Sequence, residues 1–270
     1  MSATIIDREL EAKHRAVWAL GDYRAVADDL VLPLGSELVA AAGIQSGDRV
    51  LDVAAGTGSA AFAAAALGAR VIASDLCPEL LEHGRAAAAA RGADVEFREA
   101  NAEALPFADG EFDAVISSIG VMFAPHHQRA ADELIRVCRP GGTVAVLSWT
   151  PSGFIGQMFA TMKPYLPAPP PGVQPAPLWG DEAHVRTLFG DRVDGIGRRR
   201  GALAVGRFSD GAAFRDYFKA NYGPIVSAYQ SIDDENAAAL DAELAALGDR
   251  ALADSPTMQW EYLVLTARRR

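Results

Sequence analysis

Residues 49–75 read RVLDVAAGTGSAAFAAAALGARVIASD. Arg49 to Ala54 is a short apolar run closed by a turn signal, which predicts a strand. Gly56-Thr57-Gly58 follows, with Ala61 standing where a third glycine could be. Ser59 to Leu67 is an alanine-rich helix, and Ala69 to Asp75 is a second strand. Strand, glycine loop, helix and strand make one parallel crossover unit. Glycine lets the backbone come close to a ligand, and the helix that follows offers free N–H groups. A GxG triplet alone occurs by chance, so its surroundings must say what it binds.

The rhythm continues on both sides. Pro78 to Arg91 reads as a helix, Asp94 to Ala100 and Glu111 to Gly120 as strands, Gln128 to Cys138 as a helix and Gly141 to Thr150 as a strand. Apolar strands alternating with helices predict an α/β, doubly wound, mostly parallel sheet covered on both faces. Upstream, Leu10, His14, Val17 and Trp18 recur at helical spacing, and Asp22 can cap a helix after the break at Gly21. Leu34 to Ala42 reads as a helix ended by Gly43.

After Thr150 a helix, Phe154 to Tyr165, leads into the proline-rich LPAPPPGVQPAPLWG (166–180), which can be neither helix nor central strand. Asp181 to Phe189, Ser209 to Tyr222 and Asp233 to Leu247 read as helices, Arg192 to Val205 and Met258 to Arg268 as strands. The expected organisation is an N-terminal helical cap segment, 1–42, and a nucleotide-binding core, 43–150. Residues 151–270 complete the sheet and carry cap insertions at about 151–180 and 208–254.

Of the 270 residues, 50% are hydrophobic and 22% charged, enough for a sizeable core. The net charge of −10 repels phosphate backbones, so nucleic acid is not the expected partner. Arg198 to Arg200 and Arg268 to Arg270 read as solvated strand positions and an exposed tail. Cys77 and Cys138 form no C-x-x-C pair, and no His, Cys and carboxylate set has metal-ligand spacing. The N-terminus has no long apolar core, so neither signal peptide nor membrane span is expected, and the expected location is cytoplasmic.

Two acids narrow the ligand. Asp75 ends the second strand, where a carboxylate can accept from both hydroxyls of an adenosine ribose or cap the helix at Pro78; the two roles are compatible. Asp52 ends the first strand beside the glycine loop. Pyrophosphate is disfavoured near that charge, whereas an ammonium group is favoured. Downstream stand ANAEALPFADGEFDAVISS (100–118) and ELIRVCRPGG (133–142).

With these motifs the chain resembles class I S-adenosylmethionine (SAM) dependent methyltransferases, in the small-molecule branch that includes the quinone-biosynthesis enzymes. The likeness covers roughly residues 45 to 150. It implies a Rossmann-like, seven-stranded fold and SAM as cofactor, with S-adenosylhomocysteine (SAH) as product. It implies that VLDVAAGTG holds the methionine end, through Asp52, Ala54, Gly56, Thr57 and Gly58, and that Asp75 and Leu76 meet the ribose. Asn101 and Ala102 match the adenine-contacting pair, and Ser118 and Ile119 the end of strand four. Two positions depart from the family pattern: Ala54 stands where many members have glycine, and Asn101 where aspartate is usual.

The implied reaction is in-line methyl transfer to a small apolar or aromatic acceptor at O, N, S or C. Positioning and exclusion of water do most of the work, and a base is needed only where the acceptor loses a proton. His126 and His127 follow strand four and read as a base or as helix capping; His14 lies one turn before Trp18. Trp18, Tyr23, Met122, Trp149 and Trp179 are the expected acceptor-pocket residues. Competing readings are an NAD(P)-dependent oxidoreductase and a SAM-binding protein without turnover. A nucleic-acid methyltransferase is disfavoured, because Ser117-Ser118-Ile119-Gly120 replaces an Asn/Asp-Pro-Pro-aromatic motif and no Pro-Cys pair occurs.

Overall fold

The computed structural model describes residues 2–270, with side chains from residue 8 onward. Helices α1 (Ser2–Trp18), α2 (Tyr23–Val26) and α3 (Leu32–Ala42) come first, the last two joined by a π-helical turn at Ala27–Val31. Then follow β1 (Arg49–Val53), α4 (Ser59–Ala66), β2 (Arg70–Asp75), α5 (Pro78–Arg91), β3 (Val95–Glu99), β4 (Phe112–Ser118), α6 (His127–Val137) and β5 (Cys138–Trp149). The remainder is α7 (Phe154–Met162), α8 (Glu182–Phe189), β6 (Val193–Val205), α9 (Gly211–Asn221), α10 (Gly223–Gln230), α11 (Asp234–Leu252) and β7 (Met258–Arg269).

One seven-stranded sheet runs in the order β3-β2-β1-β4-β5-β7-β6. Strands β1 to β5 are parallel, and β7 is antiparallel to both β5 and β6. This is the doubly wound, mostly parallel sheet that the alternating pattern predicts. Right-handed crossovers step from β1 to β3 in one direction and from β4 to β5 in the other, so α4 and α5 cover one face and α6 the other. The strand order reverses between β1 and β4, and a crevice opens beyond their carboxyl ends.

Local chemistry explains most element boundaries. Asp22 accepts from the Ala25 N–H at 3.1 Å and so starts α2. Asp181, Asp210 and Asp233 cap α8, α9 and α11 in the same way. Helix α3 buries Leu34, Leu38, Val39 and Ala42 on one stripe and packs on α4, β4, β5 and β7. It falls within the segment read as a cap, but it covers the sheet, because that apolar stripe needs an apolar surface to face. Helix α10 is not expected from the sequence; it carries Pro224 in its first turn, where a proline forfeits no helical hydrogen bond. Strand β5 begins at Cys138 and not at Gly141, since α6 runs straight into it.

Beyond β5 an aromatic block fills the space between helices and sheet. Phe154 of α7 stacks on Trp260 of β7 at 5.7 Å between centroids, and Phe214 and Phe218 of α9 join them. Helix α11 packs on α7 and α9, and α1 packs on α10. Among the described residues no helix is long and apolar enough to cross a membrane.

Candidate active site

A cavity of about 250 Å³ sits at the switch point, beyond the ends of β1, β2 and β4. Its floor is the glycine loop. The chain leaves β1 at Val53 and turns through Ala54 and Gly56, both in the left-handed region (φ 53 and 57). Two side chains pin that turn. Asp75 Oδ2 accepts from the Gly56 N–H at 2.8 Å, and its Oδ1 accepts from the Cys77 N–H at 2.9 Å. Ser117 Oγ donates to the Val53 carbonyl at 2.6 Å and accepts from the Val121 N–H at 2.9 Å, tying the ends of β1 and β4 together. The approach is so close that a Cβ on Gly120 would fall 1.9 Å from the Ala54 carbonyl oxygen, so only glycine fits at 120.

Left-handed backbone costs a non-glycine residue about 1–2 kcal/mol. Ala54→Gly removes that cost but adds about 0.4–1 kcal/mol of unfolded-state entropy. The two nearly cancel. We expect urea unfolding to show a net stability change below about 1 kcal/mol; a loss above that would mean that the Ala54 methyl group packs productively.

Burial governs the charges here. Asp52 is 1% exposed, and its Oδ2 accepts from the Ala61 N–H at 2.9 Å, which fastens the first turn of α4. Its Oδ1 is buried without a hydrogen-bond partner. Desolvation pushes the Asp52 carboxyl up to about 8, with the nearby Asp75 adding to the shift against the Ala61 hydrogen bond. Burial also raises the Asp75 carboxyl, against three backbone N–H groups that favour its charge.

The walls differ in character. On one side Trp18 meets Tyr23 and Phe123 edge-to-face, at 5.2 and 4.7 Å between centroids, with Leu10 and Val31 beside them. Burial, with Asp75 adding to it, holds the Tyr23 hydroxyl well above the usual phenol range. On the other side Asn101 donates from Nδ2 to Glu11 Oε2 of α1 at 2.8 Å, and its Oδ1 accepts from the Glu103 N–H at 2.8 Å. Glu103 in turn grips His126: Oε1 accepts from its backbone N–H at 2.7 Å, and Oε2 lies 2.8 Å from its Nδ1. That contact places the proton of a neutral ring on Nδ1 and leaves Nε2 as an acceptor. His14 completes this end, its imidazole lowered by burial although Glu103 opposes the shift.

Of the residues expected from sequence, Ala54, Gly56, Thr57, Asp75, Leu76, Asn101, Ala102, Ser118 and Ile119 line the cavity, together with Trp18, Tyr23, His14 and His126. Asp52 and Gly58 stand behind the loop; Gly58 turns the chain into α4 and faces Phe62 and Phe97. Four expected residues lie elsewhere. Met122 is fully buried, and Trp149 packs edge-to-face on Trp260 at 5.9 Å, both in the core. Trp179 is fully buried beside Phe189 and His127. His127 opens α6 with no exposure, and its Nδ1 is 2.9 Å from Nε2 of His184 in α8. It points away from the site because His126 precedes α6 in non-helical backbone whereas His127 is the first helical residue, on the face that packs on α8. Sequence reasoning missed Glu11, Glu103, Phe123 and Arg129 on the cavity wall. Among the described residues no group of three His, Cys, Asp or Glu side chains could hold a metal ion.

Residues 51–146 match the family model of the methyltransferase domain. An uncharacterized protein of Mycobacterium tuberculosis is 56% identical over 266 residues, covering 98% of this chain and 97% of the relative. A demethylmenaquinone methyltransferase of Thermus thermophilus is 45% identical over 105 residues, 38% of this chain and 48% of that protein. Among solved structures, the YcgJ protein of Bacillus subtilis superposes with a TM-score of 0.60 at 17% identity, over 88% of this chain and 98% of its own.

Proposed function

This chain belongs to a methyltransferase-domain family shared with the mycobacterial protein, and from that premise we propose that it transfers a methyl group from SAM to a small apolar or aromatic molecule. The observation that carries the choice of cofactor is the pair of buried acids at the glycine loop. Asp52 already takes the Ala61 N–H of the first turn of α4, the kind of group a pyrophosphate would use, and the carboxyl of Asp75 stands beside it. The negative charges of a dinucleotide would push these already raised carboxyls further toward protonation, whereas a cationic group favours their ionised form. The unpartnered Asp52 Oδ1 fits a ligand with a cationic group close by, as the methionine end of SAM has.

In this reading Ala54, Gly56 and Thr57 cradle the methionine moiety, Asp75 and Leu76 meet the ribose, Asn101 and Ala102 face the adenine, and Ser118 and Ile119 flank the reacting centre. When bound, SAM supplies a methyl group on a cationic sulfur already activated for transfer. The chain's own part is to bind, to orient and to keep water out. Trp18, Tyr23 and Phe123 form the apolar wall against which an aromatic acceptor stacks. His14 and His126 flank Glu103 and are the groups available to take a proton where the acceptor loses one. Helices α1, α9, α10 and α11 serve as the cap.

The test is a ligand panel read by thermal shift and calorimetry. A ligand at 100 times its Kd stabilises by about 2.7 kcal/mol, which raises Tm by roughly 5–10 °C for a domain of this size. We expect that rise with SAM and SAH and none with NAD or NADP. Stabilisation by the nicotinamide cofactors alone would replace this reading with the oxidoreductase one. SAH binding without methyl transfer to any phenol, amine or thiol offered would favour a binding protein.

A further inference from the structure

In the SAM reading Asn101 faces the adenine, and an amide is a poorer partner for an adenine amino group than a carboxylate. The structure brings a carboxylate to the same spot from another element. Glu11 of α1 lines the cavity beside Asn101, and its Oε2 accepts from Asn101 Nδ2 at 2.8 Å. Asn101 Oδ1 is occupied by the Glu103 N–H at 2.8 Å. The amide is therefore oriented from both sides: its oxygen is engaged locally, and its NH2 faces Glu11. The second carboxylate oxygen of Glu11 is the strong acceptor that the amide lacks.

Resting on the SAM reading above, we infer that Glu11 is a specificity-determining residue. Its carboxylate, held by Asn101, accepts from the exocyclic amino group of adenine, so the N-terminal helix supplies part of the cofactor site. A carboxylate favours the 6-amino donor of adenine and repels the 6-oxo acceptor of hypoxanthine. Discrimination between those two bases is thus assigned to a residue 90 positions away from Asn101 in the chain. A second contact, the ion pair of Arg15 with Glu99, tethers α1 to the end of β3 without lining the cavity. The two contacts separate a tether from a recognition group.

The experiment titrates the full chain by calorimetry with SAH and with S-inosylhomocysteine, whose base carries a 6-oxo group and an N1–H in place of the 6-amino group and bare N1. The wild type is expected to prefer SAH by about 30-fold or more, since an unpaired polar group in a site built for a hydrogen bond is rejected strongly. Glu11→Gln, whose amide can turn either its oxygen or its NH2 to the base, narrows the preference to about threefold or less. Glu11→Ala lowers SAH affinity about tenfold. Arg15→Ala loosens the tether, so it weakens both ligands alike and keeps the wild-type ratio. A Glu11→Gln protein that keeps the wild-type ratio would overturn the inference, as would a wild type that binds both ligands equally. Absence of any SAH binding to the wild type strikes instead at the methyl-donor reading on which the inference rests.

Discussion

Asp75→Asn is expected to weaken SAH binding by at least 100-fold while the protein stays folded. The Asp75 carboxylate does two jobs at once. It accepts from the Gly56 and Cys77 N–H groups, which holds the glycine loop, and in the proposed complex it also accepts from the ribose hydroxyls. A hydrogen bond to a charged group is worth about 1.5–3 kcal/mol, so losing the charge against two hydroxyls costs about 3 kcal/mol, or somewhat over 100-fold in Kd. Asparagine keeps one acceptor oxygen for the loop and presents an NH2 where the second stood. The folding cost is smaller than the binding cost, because the buried carboxyl is already penalised by desolvation in the free protein. Calorimetry with SAH and urea unfolding without ligand separate the two. A drop in affinity under tenfold would remove Asp75 from the ribose site; a stability loss matching the affinity loss would make it only a loop anchor.

How much of this was legible follows from what kind of information each feature needs. The strands and α4, α5 and α6 were readable because apolar runs, caps and breakers are local. Asp22, Pro78 and Gly43 act within one or two turns of themselves. The glycine loop and Asp75 were readable for the same reason: each lies at the end of a recognisable strand in a topology whose ligand position is general. The pocket walls were not. Trp149 and Trp179 are large and lie near the right end of the sheet, but composition does not say which face a side chain takes, and both pack inward. His126 and His127 are neighbours in the chain with opposite surroundings, one held by Glu103 at the cavity and one buried against His184. The links of Glu11 to Asn101 and of Glu103 to His126 span 90 and 23 residues, and no spacing rule reaches across an irregular loop. The signal for Glu103 was present in its place two residues after Asn101, but its partner was visible only once β4 and α6 were folded beside it.

The buried His127–His184 pair gives the second large effect, on stability in acid. His127 has no exposure, and its Nδ1 meets His184 Nε2 at 2.9 Å beside the ring of Trp179. One ring donates and the other accepts, so the pair is stable with both imidazoles neutral. Burial, then the neighbouring imidazole, pushes His127 down to about 4. The unfolded chain has the ordinary value near 6.5, so between those limits the unfolded state binds a proton that the folded state refuses. The contribution is therefore neutral above pH 6.5 and grows destabilising as pH falls toward 4. Linkage sets it at about 2.5 kcal/mol between pH 7.5 and pH 4.5. The wild-type curve alone will not display it, because Asp52, raised to about 8, acts in the opposite sense: over the same range the folded state holds a proton that the unfolded carboxylate lacks, and taking up that proton costs less as pH falls. The difference between wild type and His127→Gln isolates it. At pH 7.5 the variant is expected to be the less stable, having lost a packed ring and a hydrogen bond. At pH 4.5 that deficit shrinks by about 2.5 kcal/mol, and the variant equals or exceeds the wild type. Parallel urea-derived stabilities of the two proteins across this range would show that His127 takes up its proton in the folded state as easily as in water, and that the pair does not carry the acid sensitivity.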